Sequence, residues 1–116
     1  MFTAFNDRID FSYIFKNIRS AISSPGENNT YAAIDLGLDI LERQYEHFRK
    51  ELNEAGELGT WEYDLDTYNH CITVLQRYFT GNPSGLTERD ARIYSHYLQT
   101  EHKRFVKLAE ELTADR

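Results

Sequence analysis

Apolar residues recur every three or four positions through most of this chain. Phe11, Phe15, Ile18 and Ile22 form one series, and Tyr31, Ile34, Leu38, Leu41, Tyr45, Phe48 and Leu52 a second. Trp61, Leu65, Tyr68, Ile72, Leu75 and Phe79 form a third. A fourth, Ala91, Tyr94, Leu98, Phe105, Leu108 and Leu112, is interrupted at Glu101. Steps of three and four keep side chains on one face of a helix, so each segment carries a stripe to bury against the others. No alternating stretch of strand type survives beside this period. The pattern predicts an all-α, single-domain antiparallel four-helix bundle. Its helices are expected over about 8–22, 30–54, 62–80 and 88–113, the first shorter and the second and fourth long.

Punctuation residues divide the series. Asp7 or Asp10 can cap the first helix, and Ser23-Ser24-Pro25-Gly26-Glu27-Asn28-Asn29 stops it, since proline cannot continue a helix. Asn29 or Thr30 is the expected cap of the second helix, which ends at Gly56. Gly56 and Gly59 bracket a loop, with the third helix expected to begin between Thr60 and Asp64. Gly81-Asn82-Pro83-Ser84-Gly85 closes that helix, and Thr87 with Asp90 reads as a capping box for the fourth. Short connections of this kind favour antiparallel neighbours.

Composition narrows the function classes. A chain of 116 residues supports one core, and a net charge of −6 argues against nonspecific binding to nucleic acid or an anionic membrane. No apolar run is long enough to span a bilayer, and Met1–Asp7 has no basic region followed by an apolar stretch, so no secretory signal is expected. Cys71 is the single cysteine, so no internal disulfide is expected and a cytoplasmic location fits. Eight tyrosines, several within the apolar series, are expected to line the rim of a small core, where each hydroxyl can reach water.

The distribution of charge carries the main functional lead. No lysine or arginine lies between Glu51 and Gln76, whereas Glu51, Glu54, Glu57, Glu62, Asp64 and Asp66 all do, with Trp61 and Tyr63 among them. Acids opening the third helix suit its dipole, but Glu51 and Glu54 crowd the negative end of the second at some cost. Clustered acids with large aromatics are what a protein needs to occupy a basic surface: charge steers the approach and rings supply the anchor. Glu51, Glu54, Glu57, Trp61, Glu62, Tyr63, Asp64 and Asp66 are therefore the expected partner-binding residues. The function expected is that of an acidic module of inhibitor, immunity or anti-defence type, with a basic partner protein and no cofactor.

Two alternatives come from other residues. Arg89-Asp90 followed by His96 resembles the Arg-polar…His pattern of HEPN-type ribonucleases, helical bundles that dimerise to form an active site. The resemblance covers eight residues, with a gap at the long end of the family's range. It implies His96 as a general base or acid and Arg89 as the group stabilising phosphate charge. The other alternative is a homodimeric structural bundle. Asp35, Asp39, Glu42 and Glu46 on the second helix and Arg89, Arg92, His96, Lys103 and Lys107 on the fourth offer complementary edges, within the chain or across a dimer. Metal binding is not expected, because neither Glu-x-x-His nor His-Glu-x-x-His occurs. Glu101 and His102 are followed at once by Lys103 and Arg104, which predicts that the fourth helix emerges from the core there.

Overall fold

The computed structural model describes residues 2–5, 8–24 and 31–114. These form four helices: α1 (Phe11–Ser23), α2 (Tyr31–Glu54), α3 (Leu58–Phe79) and α4 (Glu88–Ala114), with no strand among the described residues. Each start and stop has a local cause. Asp10 caps α1, its Oδ1 accepting from the Tyr13 amide at 3.0 Å, and Thr87 Oγ1 accepts from the Asp90 amide at 3.1 Å at the start of α4. The expected caps Asp7, Asn29 and Thr30, and the loop from Pro25 to Asn29, lie outside the described residues.

The α2–α3 connection is tighter than the sequence suggests. Gly56 takes a left-handed φ of 75°, its amide bonds the Asn53 carbonyl, and the Glu57 amide reaches back to Leu52. That pair of bonds closes α2, and α3 starts at once at Leu58, with Gly59 inside its first turn. The third helix therefore begins earlier than expected. Glu62, Asp64 and Asp66 fall beyond its first turn, which holds no acid, so the helix dipole does not account for them.

The four helices form a ring in which α1 packs on α2, α2 on α3, α3 on α4 and α4 on α1. Along the α3–α4 seam Asp64 meets Arg104, Tyr68 meets His102 and His70 meets Tyr94, so partner numbers fall as α3 numbers rise. Across the α1–α2 seam Gly37 lets the helices close, since a Cβ there would lie 3.0 Å from Ile14 Cγ2. Among the described residues helices α2 and α4 are not neighbours, and Phe48 and Phe105 face each other across the core between them. Their complementary edges therefore do not pair within the chain.

Most of the apolar series enter the core, with Ile22, Leu41, Phe48, Leu65, Ile72 and Leu98 fully withdrawn from solvent and Phe11, Trp61, Tyr94 and Leu112 packed against its edge. The tyrosines divide more widely than a rim predicts: Tyr68 is completely buried, Tyr45 nearly so, and Tyr63 is 80% exposed. The short segment Phe2–Phe5 forms a strap across one end of the core. Phe5 has a left-handed φ of 59° and packs on Phe48, Phe11, Phe105 and His102. Burial of its ring offsets the strain of that backbone conformation.

Candidate functional site

The acidic stretch from Glu51 to Asp66 turns the end of α2 into the first half of α3, and its members do different things. Glu51 faces away from the others. Its Oε1 accepts from the Ala4 amide at 2.9 Å, and its Oε2 accepts from the Thr3 amide at 2.7 Å and the Thr3 hydroxyl at 3.2 Å. His47 Nε2 stands 3.5 Å away. Glu51 thus anchors the strap, and these bonds offset its unfavourable place at the negative end of α2.

The absence of basic residues along this stretch is made good only in part from other helices. Arg49 reaches from α2 to Glu62 Oε2 and Asp66 Oδ1, each at 3.4 Å, and Arg104 reaches from α4 to Asp64 Oδ1 at 3.6 Å. Glu54 and Glu57 make no ion pair with the described residues. Two guanidiniums therefore serve three of the carboxylates, Glu54 and Glu57 have none, and the face stays acidic. Trp61 is half-buried and packs against the core, whereas Tyr63 stands out beside Glu62 and Asp64.

The α3–α4 seam beside this patch holds a group that the sequence does not assign to it. Glu101 lies on the edge of α4 that faces α3, and its side chain is only 5% exposed. Oε1 accepts from Arg104 Nη1 at 2.7 Å, while the enclosed Oε2 has no hydrogen-bond partner among the described residues. Its charge is felt by its neighbours. Burial, and then the Glu101 carboxylate, push the Cys71 thiol up to about 11, so this cysteine stays protonated and unreactive. The hydrogen bond to Glu101 foremost strengthens the hold of Arg104 on its proton. Burial foremost, then Glu101, Cys71, Tyr63 and Asp64, raise the Tyr97 phenol. Tyr97 is 43% exposed beside this carboxylate, and Tyr63 is near enough to bear on its phenol.

Deeper in, His102 turns from the same stretch of α4 toward the strap. Its Nδ1 lies 3.2 Å from the Tyr68 hydroxyl, and its ring packs on Phe5, Phe11 and Phe15. Burial lowers its pKa to about 4, so it is neutral at physiological pH, and burial drives the Tyr68 phenol far upward. Glu101 and His102 are thus both buried, contrary to the expected emergence of α4 at this point. They point about 100° apart, one to the α3 seam and one to the core.

Arg89 and His96 both lie exposed on α4, and neither side chain has a hydrogen-bond or ion-pair partner among the described residues. A cavity of about 540 Å³ opens between the strap and the end of α4, lined by Phe2, Phe5, Val106 and Thr113 among others. One of about 160 Å³ lies between α1 and α2 beneath the exposed Tyr13 and Leu36. Neither cavity contains Arg89 or His96. Among the described residues no three His, Cys, Asp or Glu side chains gather as metal ligands would, and no helix is long and apolar enough to cross a membrane. Comparison with family models, curated proteins and solved structures finds no match to this chain.

Proposed function

We propose that this protein acts by binding a partner protein of basic surface, as an inhibitor or immunity-type module. The contact face is the outer side of the first half of α3, flanked by α2 and α4. The observation that carries this reading is Tyr63, 80% exposed among Glu62, Asp64 and Asp66. A large ring held out on a rigid helix is an anchor in search of a pocket, and carboxylates in excess of their guanidiniums steer a cationic surface toward it. Trp61 supports the face from beneath, since its ring packs against the core. Glu51 belongs to the strap and takes no part.

Affinity capture from the native host, followed by titration of the purified partner, tests this reading. Tyr63→Ala combined with Glu62→Lys is expected to weaken binding by at least tenfold with helix content unchanged. A partner bound equally well by the double variant removes this face from consideration.

A further inference from the structure

The acidic face alone does not say which group of a partner it receives, but the α3–α4 seam does. Glu101 is a buried carboxylate one donor short. A carboxylate accepts at both oxygens, and burying one with an oxygen unserved is costly. The groups nearby do not make up the deficit: the Thr67 hydroxyl donates to the Tyr63 carbonyl at 3.0 Å, and the Tyr68 hydroxyl is engaged with His102. Arg104, about half exposed at the mouth of the seam, serves Oε1 of Glu101 and reaches Asp64 with the same nitrogen. The mouth therefore already accommodates a guanidinium, held by only one of its two terminal nitrogens.

We propose that the seam is a receptor for one guanidinium group, an arginine side chain of the partner, which enters beside Tyr97 and takes the place of Arg104 on Glu101, reaching the unserved oxygen as Arg104 leaves. This rests on the reading of the face as a protein-binding surface and names what that surface reads. Arg104 is a resident stand-in: it swings outward, keeping Asp64, as the incoming fork takes Glu101 from both oxygens. A planar fork matches a carboxylate better than an ammonium does, and the exposed Tyr97 ring offers a face for a cation to stack on. Complementary charge selects this occupant, since Glu101 and Asp64 share a single guanidinium here.

The test is a heteronuclear NMR titration of the full chain with a capped Gly-Arg-Gly peptide, and in parallel with its citrulline analogue, which has the same shape without the charge. Arg104→Ala is expected to bind the arginine peptide at least tenfold more tightly than the native chain, because the internal competitor is gone. Shifts should centre on Asp64, Tyr97 and Glu101. Glu101→Gln is expected to abolish the gain in the double variant, and the citrulline peptide to give no shifts. Arg104→Gln, which keeps the aliphatic stem to Cδ without the charge, replaces Arg104→Ala if that variant unfolds. No seam shifts at millimolar peptide in either Arg104 variant, or equal binding with Glu101→Gln, overturns the proposal. A partner whose affinity falls with Tyr63→Ala but not with Glu101→Gln overturns it too, and leaves the broader reading of the face intact.

Discussion

Glu51 and Glu101 are the same residue type, both largely withdrawn from water, and they end in opposite conditions. Glu51 has both oxygens filled by the strap: two backbone amides and a hydroxyl converge on it within 3.2 Å. Glu101 has one oxygen filled by a half-exposed arginine and the other by nothing among the described residues. Burial alone would rank them together. What separates them is satisfaction: a fully served carboxylate holds structure in place, and one with an open lone pair marks where structure was not the only demand. The strap end and the α3–α4 seam are thus the fixed and the receptive regions of one small bundle.

The largest effect that sharpens this contrast is at the strap. Glu51→Ala removes the acceptor of three hydrogen bonds, two of them from backbone amides, and releases the burial of Phe5. Hydrogen bonds to a charged group are worth about 1.5–3 kcal/mol each, but they will not sum fully, so a loss of about 3 kcal/mol is expected in urea denaturation. A loss below about 1 kcal/mol would mean that the strap is held by its rings alone, and the contrast with Glu101 would fail.

An effect of similar size comes from acid. His102 lies under the strap with its pKa lowered from 6.5 to about 4. In that interval the unfolded chain takes up a proton that the folded chain refuses. Stability is therefore complete above pH 6.5 and falls as the pH drops toward 4, by about 3 kcal/mol at the full shift. His102→Asn keeps an acceptor near the Tyr68 hydroxyl but does not titrate. It should be less stable at neutral pH, with a flatter acid limb than the native chain. An unchanged slope between pH 6.5 and 4 would assign the acid sensitivity to carboxylates elsewhere.

How much of this could be read from the chain follows from what each feature depends on. The helices were legible because burial of a stripe is a local, periodic demand, and the four apolar series lie where α1 to α4 run. The start of α3 was misplaced because two glycines look like a loop. Only Gly56 takes a left-handed conformation in that connection, and Gly59 is ordinary helix. The role of Glu51 could not be read at all: its partners are backbone amides 47 and 48 residues away, in a segment without a period. Glu101 was visible as a break in the fourth series, yet Lys103 and Arg104 behind it suggested exposure. Successive helical residues point about 100° apart, so charged followers say nothing about the face their predecessor occupies. The acidic stretch was legible as composition. Its partial neutralisation by Arg49 and Arg104 was not, since both reach it from other helices.

The smallest effect is the most telling. Glu101→Gln keeps the shape of the side chain, removes a buried charge and leaves Arg104 with an acceptor. The surface half of the Glu101–Arg104 pair contributes about 0–1 kcal/mol, and relief of the unserved oxygen works in the other direction. The two nearly cancel, so the variant should match the native chain within about 1 kcal/mol in urea denaturation. It should also lower the Cys71 thiol from about 11, since the carboxylate that adds to the effect of burial is gone. That shift is measurable from the pH dependence of alkylation in mild denaturant, with native chain as reference. Marked destabilisation by Glu101→Gln would show that the charge supports the fold as Glu51 does, and the distinction between a fixed and a receptive carboxylate would lose its basis.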